Sequence, residues 1–563
     1  MNSSAPESET MALADHGNTT SRQDARRPAT RKASLLHSHP RLLLLVLVLL
    51  FVWSFAIRMY LIDAPAMEFY SMRQYYSAEG ARCMYYSSLK SIPEWQKEWI
   101  ASYPERNSRM MVPLPTIEGI AFVLYRVAGG EHLWLPRAFS ALAYVLGGVV
   151  LYFLARKLIG VRGALFAAGF YLLLPVAVLA SRSFQAEPLM VAAMILSIYT
   201  VVAHNKQPTT RHLATAALVS AAAITIRPVC AFMIFGAFGA LAIQRLGLRR
   251  AVLARHSWLF ASVAVLPTAI LFVCDHFLLS GGGASYLTET TWQPHLLLTA
   301  SFYWGWVNYA TGVFSVPVLG LLGGVLLLGA AFAGTFMLPK GTPRALVLGM
   351  WLGYVTCCVV YAYHISNHHY FHLQLVPLVS LCLAPVAIRA ISFTSDLISD
   401  FVGRGLTTRV IMPSCVIAVV LLFSFGSLGT INAYKVEYEQ LPSTAAEIGR
   451  LVDHSTRTVI LGKFYGNELT YHGWFLGHMW PHTYDFDLIQ TRTGLSPSRG
   501  EELFYAQYSG KNPDYFVVAD MEEFERQPEL KEFLEREFPV LAHSEEYVIF
   551  DLRNPYSTPV SGE

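Results

Sequence analysis

Charge is scarce in this sequence: charged residues make up 14% of 563 positions, against 54% hydrophobic. A water-soluble fold of that composition would carry far more apolar surface than its core could hide, so an ordinary soluble domain is excluded and a bilayer is the fitting solvent. Cysteine is scarce as well. The seven present (Cys83, Cys230, Cys274, Cys357, Cys358, Cys382 and Cys415) lie mostly in apolar stretches and form neither a CxxC pair nor a Cys/His zinc spacing. None follows Cys415, so the C-terminal segment has to be stable without disulfides. A net charge of +3 is too small to argue for nucleic acid. A secretory signal at Met1 is also missing, because the first apolar run begins at Leu42. The leader over 1–40, rich in Ser, Thr and Arg, reads as a disordered cytoplasmic tail.

What is abundant is apolar runs long enough to cross a bilayer, about 20 residues each. Eleven are expected, near 41–62, 134–157, 161–182, 184–204, 212–227, 228–245, 257–280, 313–338, 343–364, 369–393 and 409–431. The distribution of Lys and Arg tests that count. Arg26, Arg27, Arg31, Lys32 and Arg41 place the N-terminus in the cytoplasm. Arg156, Lys157 and Arg162, then Lys206 and Arg211, then Arg245, Arg249, Arg250 and Arg255, then Lys340 and Arg344, then Arg404 and Arg409 fall at every second junction. The alternation closes only if Pro113 to Val127 does not cross, so that stretch is expected to be a re-entrant or interfacial helix. The expected architecture is a polytopic α-helical membrane protein: a transmembrane module over 41–431 with a first outer loop at 61–133, further outer segments near 281–312 and 364–369, and an extracytoplasmic α/β domain over 432–563.

In that last segment charge rises. Short β-rich runs (Thr458 to Leu461, Tyr515 to Ala519, Tyr547 to Asp551) alternate with helical patterns around 443–453, 497–508 and 521–536. No GxGxxG, Walker A or GxSxG element opens it, so a nucleotide site or a hydrolase elbow is unsupported.

Candidate chemistry gathers at the outer junctions. After the first span, Glu68 and Arg73-Gln74 put a carboxylate and a guanidinium at the membrane face, as an interfacial salt bridge or as partners for an acceptor hydroxyl and a phosphate. Arg182 and Glu187 flank a very short turn before Pro188, either pinning it or marking a site. Arg227 breaks the positive-inside pattern, which fits snorkelling to headgroups or an anionic partner. The turn Tyr363 to His372 carries four of the eighteen histidines; a metal, a phosphate or sugar, or a polar helix end would each account for them. Tyr286, Trp292, Tyr303, Trp304, Trp306 and Tyr309 crowd one outer loop, to stack on sugars or prenyl chains or to anchor an interfacial helix.

Several motifs match in register: Arg73-Gln74 followed by Ser77-Ala78 and Ala81-Arg82; Pro113 to Gly129 ahead of Pro136-Arg137; Leu154-Ala155-Arg156; Ala180 to Met190; and His369-Tyr370 ahead of Pro377. In this order they resemble the polyprenol-phosphate-sugar-dependent membrane glycosyltransferases. This is the GT-C superfamily that includes protein O-mannosyltransferases and the aminoarabinose transferase of lipid A, and the resemblance is nearest to glycosyltransferase family 39. It runs over about 41–230 and 363–377. Relatives often have His where this chain has Tyr70, and usually Lys at the position of Arg227.

The resemblance implies an inverting transferase that moves a sugar from a polyprenyl-phosphate donor to a glycan, lipid or protein acceptor on the extracytoplasmic face of a plasma membrane. Glu68 matches the acidic residue that takes the acceptor proton. Arg73, Gln74, Arg182, Glu187, Arg227, His369 and Tyr370 match positions that bind donor phosphate or substrate. A phosphate held by cations leaves without an acid, so the second carboxylate of a glycoside hydrolase is not required. The oligosaccharyltransferase signature WWDYG and a clear DxD are missing, and a divalent metal is not implied. Two other classes share the gross features: a transporter or flippase of a lipid-linked sugar, which would carry charges at the midplane and an inverted repeat, and a non-catalytic membrane assembly protein.

Overall fold

The structure, a computed structural model, describes residues 40–107, 115–278, 291–316, 319–493 and 496–556. The tail before Pro40, Pro113 and Tyr286 lie outside them. The chain divides into residues 1–48, of which the described part is helical, and a second unit over 49–563.

In lipid a backbone must satisfy its own hydrogen bonds, so the apolar runs become helices. Helix α1 (Pro40–Met59) leads into three loop helices, α2 (Ser71–Ser87), α3 (Glu94–Asn107) and α4 (Thr116–Ala128). Then follow α5 (Trp134–Leu173), α6 (Pro175–Ser181), α7 (Glu187–Lys206), α8 (Thr210–Ile226), α9 (Ala231–Leu246) and α10 (Arg255–Leu278). Helices α11 (Ala300–Val313), α12 (Gly320–Met337), α13 (Thr342–Val360), α14 (Leu375–Val402) and α15 (Met412–Glu437) complete the apolar part.

Nine helices among the described residues are long and apolar enough to cross a membrane. One, α5, has 40 residues and non-helical backbone at Gly160 (φ 78°, ψ 180°). Its length is about 60 Å, twice a hydrocarbon core of about 30 Å. Counted as two, and joined by the 17-residue apolar α8, it brings the tally to the eleven expected. Helix α4 has only 13 residues, too short to span, as the Lys and Arg alternation requires.

Helices α9 and α13 approach until backbones touch: a Cβ on Gly236 would lie 2.1 Å from the Gly349 carbonyl oxygen, and one on Gly353 2.2 Å from that of Phe232. Small residues at such crossings replace side-chain packing with backbone contact. The crossing joins the helix that follows Arg227 to the helix that leads into the histidine turn. In the first loop, Tyr75, Ala78, Ala81 and Tyr85 of α2 pack on Ile117, Ala121 and Tyr125 of α4.

The C-terminal part is α/β. Helix α16 (Leu441–Leu451), β1 (Thr458–Leu461), α17 (Asn467–Gly473), β2 (Gly477–Met479), α18 (Thr483–Thr493), α19 (Gly500–Gln507), β3 (Tyr515–Val518), α20 (Met521–Glu525), α21 (Pro528–Glu537), β4 (Val540–His543) and β5 (Val548–Asp551) follow in order. The sheet order is β2-β1-β3-β5-β4, with β1 parallel to β2 and β3, and β5 antiparallel to β3 and β4. Strands β1 and β3 are buried throughout because helices cover both faces. Val459 and Leu461 face the core of α19 to α21, while Ile460 faces α16 and α17. Large side chains dominate: Trp480 is fully buried, which contributes about 1.5–3 kcal/mol relative to exposure. The chain is thus a polytopic α-helical membrane protein with a small C-terminal α/β region.

Candidate active site

Tyr70 stands before α2 in the left-handed region (φ 48°, ψ 62°), a conformation that a bulky residue adopts only under local constraint. One turn on, Arg73 reaches the start of α7. Its Nη1 donates to Gln185 Oε1 at 2.9 Å and its Nη2 to Glu187 Oε1 at 2.8 Å. Arg227 Nη2 donates to the same carboxylate oxygen at 2.6 Å. Glu187 Oε2 is buried without a hydrogen-bond partner. One carboxylate between two guanidiniums leaves a net positive charge. The Arg side chains stay 22% and 16% exposed, so part of each cationic surface is open to a ligand. The Arg73 guanidinium also lies 3.8 Å over the Tyr370 ring, a favourable cation–π arrangement.

The histidine turn closes this site. Spans α13 and α14 end at Val360 and begin at Leu375, so His364 to His372 lie outside both. The Tyr70 hydroxyl accepts from the His369 backbone N–H at 2.9 Å and meets His369 Nδ1 at 3.0 Å. Helix α11 presses on the turn through two glycines: a Cβ on Gly312 would sit 2.5 Å from His369 Nε2, and one on Gly305 2.4 Å from the Ser366 carbonyl oxygen. Burial, reinforced by Arg73, pushes the His368 imidazole down to about 4. Burial and then His368 and Arg227 push His364 down to about 3. Both are neutral near pH 7 and act there as hydrogen-bonding groups rather than as cations. His372 holds Tyr354 Oη and the Ile365 carbonyl oxygen at 2.7 and 2.8 Å. Among the described residues no three His, Cys, Asp or Glu side chains converge as metal ligands.

Glu68 belongs to the adjoining buried cluster, at 6% exposure. Its carboxylate is hydrogen-bonded by Arg137 Nη2 and lies 3.4 Å from Arg182 Nε. Arg137 Nη1 also donates to the carbonyl oxygens of Ile62 and Ala64, and Arg182 Nη2 to that of Leu61. The two arginines therefore staple the chain that leaves α1 around the carboxylate. Arg182 Nε and Nη1 keep no hydrogen-bond partner although buried.

Of the residues singled out in the sequence, Arg73, Glu187, Arg227, His369 and Tyr370 come together. Glu68 and Arg182 form the neighbouring buried cluster. Gln74 is a brace: its Nε2 donates to the Ala66 and Phe69 carbonyl oxygens, and its Oε1 accepts from the Phe184 N–H. Two members were not foreseen. Gln185 Nε2 donates to the Phe69 carbonyl oxygen at 2.9 Å, so this side chain links the backbone next to Glu68 to Arg73. Glu118 accepts from the Ser77 hydroxyl at 2.6 Å and feels Arg227 and Arg73, while burial raises its carboxyl above the usual range. Its signal in the sequence was a lone carboxylate in the apolar run that does not cross.

Residues 115–273 match the family model described as dolichyl-phosphate-mannose-protein mannosyltransferase. No curated protein matches the chain. Among solved structures, ArnT from Cupriavidus metallidurans in the apo state aligns with a TM-score of 0.54 at 15% identity, covering 89% of this chain and 97% of ArnT. The same protein bound to undecaprenyl phosphate aligns with a TM-score of 0.52 at 14% identity, covering 91% and 98%. The apo oligosaccharyltransferase of Archaeoglobus fulgidus aligns with a TM-score of 0.50 at 13% identity, covering 90% of this chain and 74% of that enzyme. Residues 115–273 thus match that family, and the chain as a whole shares the fold of ArnT.

Proposed function

We propose that the chain transfers a sugar from a polyprenyl-phosphate donor to an acceptor on the extracytoplasmic face of the membrane, with inversion at the anomeric carbon. The observation that carries this reading is the pair Arg73 and Arg227, which share the Glu187 carboxylate and keep cationic surface open beside Tyr370 and His369. A departing lipid phosphate carries its charge into this pair. Cations placed where charge develops stabilise the transition state without a general acid. The undecaprenyl phosphate bound by ArnT, which has the same fold, is the class of ligand that such a site suits.

Glu68 is the proposed base. Arg137 and Arg182 hold its carboxylate in place. The acceptor oxygen or nitrogen attacks the anomeric carbon, its proton passes to Glu68, and the bond from that carbon to the phosphate oxygen breaks, with the electron pair leaving on the phosphate. Neutral His369 serves as a hydrogen-bond donor. The N-terminus and the basic junctions are cytoplasmic in this reading, the C-terminal α/β region is outside, and the membrane is a plasma membrane. A transporter would carry its ionisable groups at mid-membrane, whereas Glu187 stands at the first residue of α7 and Arg227 just past the end of α8.

Transfer of labelled sugar from a panel of polyprenyl-phosphate donors, by purified protein in lipid with a panel of acceptors that includes water, tests the reading. Turnover by the wild type that disappears in Glu68→Gln is the expected result. Full activity in Glu68→Gln removes Glu68 from the role of base, and a wild type that carries donor across the membrane without transfer is a transporter.

A further inference from the structure

The sheet order puts the carboxyl ends of three parallel strands side by side, with β1 between β2 and β3. From β1 the chain turns to β2 on one side, and β3 lies on the other. Loops diverge at such a switch point and leave a crevice, the usual place for a ligand in an open α/β sheet.

Here the crevice is lined with polar groups. Tyr465 Oη, after β1, donates to Asp485 Oδ1 at 2.9 Å. His482, after β2, donates its backbone N–H to Asp485 Oδ2 at 3.0 Å, while its imidazole stands between Asp485 and Asp520 at 3.9 and 3.8 Å, too far for direct hydrogen bonds from the ring. The loop after β1 is strained, with Phe464 and Tyr465 at φ 49° and 63°, as loops that position binding groups often are.

A second observation points to a ligand. Asn467 and Glu468, each 2% exposed, keep Nδ2 and Oε2 without hydrogen-bond partners. Both residues open α17, directly after the β1 loop; burial, then Glu79 and Asp520, push the Glu468 carboxyl up to about 8 against Lys463, so it is largely protonated at neutral pH. An orphaned amide donor and an orphaned carboxyl oxygen are unusual in a buried place, and ligand hydroxyls, which both donate and accept, would satisfy them.

The crevice faces the candidate active site. Tyr465 feels Tyr484 and Tyr363, and Tyr309 feels Tyr484. Tyr309 packs edge-on against His369 at 4.7 Å between ring centroids. These aromatic rings offer flat faces to the apolar side of a sugar. Asp485, Asp520 and Glu523 outnumber Lys463, so the local field repels an anionic ligand.

We propose that the carboxyl ends of β1, β2 and β3 form the acceptor subsite, and that the acceptor is a neutral or amine-bearing glycan held by Tyr465, Asn467, Glu468, His482, Asp485 and Asp520. The assignment rests on the transferase reading above. The test is calorimetric binding of maltotriose, the fully deacetylated chitosan trisaccharide and trigalacturonate to the full chain in lipid nanodiscs. The first two bind and trigalacturonate does not. Asp485→Asn and Asp520→Asn each weaken binding about tenfold, the loss of one hydrogen bond to a charged group. The amide in Asp520→Asn still accepts from the Glu523 N–H, which keeps the cap of α20, and thermal unfolding of both variants checks the fold. Unchanged affinity in both variants, or no binding of any trisaccharide to the wild type, overturns the proposal. Undecaprenyl phosphate binding on the same samples reports the Arg73 and Arg227 site. Its absence with glycan binding intact sinks the donor reading alone; its presence without glycan binding sinks the subsite alone.

Discussion

Tyr70 and His369, 299 residues apart, are joined by one hydroxyl that accepts from the His369 backbone N–H at 2.9 Å and lies 3.0 Å from its Nδ1. Tyr70→Phe removes both contacts. The expected result is a loss of about tenfold in kcat/KM, which is about 1.4 kcal/mol, within the usual range for an unmade buried hydrogen bond. Steady-state transfer kinetics read it, and an unchanged kcat/KM would remove His369 from the site.

Glu187 is shared by Arg73 and Arg227, so its removal leaves two guanidiniums close together with no counter-charge. Glu187→Ala should destabilise the protein by about 3–5 kcal/mol, the usual cost of breaking a buried ion pair on one side. Thermal unfolding in detergent or nanodiscs measures it. Arg73→Lys should not restore function, because a point ammonium cannot reach Gln185 and Glu187 at once or lie flat on Tyr370.

Stability should depend on pH in two separable windows. Unfolded imidazoles take up protons near pH 6.5, whereas His368 and His364 in the fold resist until about 4 and about 3. The unfolded chain binds more protons in that interval, so this contribution is complete above about pH 6.5 and is lost as pH falls. Glu468 works in the opposite sense. Its carboxyl is raised from 4.5 to about 8, so its contribution is complete below 4.5 and is lost as pH rises through about 8. Each group adds a slope of at most about 1.4 kcal/mol per pH unit. Thermal unfolding against pH should show a flatter acid limb in His368→Gln and a flatter alkaline limb in Glu468→Gln.

The two glycine contacts separate stability from activity. Gly236→Ala drives a methyl into the Gly349 backbone, which cannot give way without parting α9 from α13, and should cost about 1–3 kcal/mol of stability. Gly312→Ala meets only the far end of the His369 ring. It should leave the unfolding temperature nearly unchanged and lower turnover, which unfolding and transfer assays on the same preparation resolve.

Much of this was legible in the sequence because lipid imposes a simple rule. Apolar length gave the spans, and the alternation of Lys and Arg required α4 not to cross. Arg73, Glu187, Arg227, His369 and Tyr370 stood out as polar groups at junctions where polar groups are costly. Arg182, one partner of Glu68, stood out in the same way; Arg137, the other, did not as a partner, because it is one basic residue at a helix start and nothing local shows that it folds back over Ile62 and Ala64. In the C-terminal region β1, β3 and β5 were readable from β-branched and aromatic runs. Strand β2 was not, since Gly477-His478-Met479 has neither alternation nor β-branching. Edge strand β4 is mostly exposed and carries no buried pattern. The helical pattern at 521–536 divides into α20 and α21 at Pro528, which can begin a helix but cannot continue one. The crevice at the strand ends depends on strand order, a long-range property that no local pattern encodes.

The most direct test of the central claim, that Arg73 and Arg227 receive the lipid phosphate of the donor, is equilibrium binding of undecaprenyl phosphate compared with undecaprenol in nanodiscs. The phosphate should bind and the alcohol should not compete, and Arg73→Gln or Arg227→Gln should each weaken the phosphate by about 1.5–3 kcal/mol, roughly 10–100-fold. Equal binding of phosphate and alcohol, or affinity for the phosphate that survives both substitutions, would contradict it.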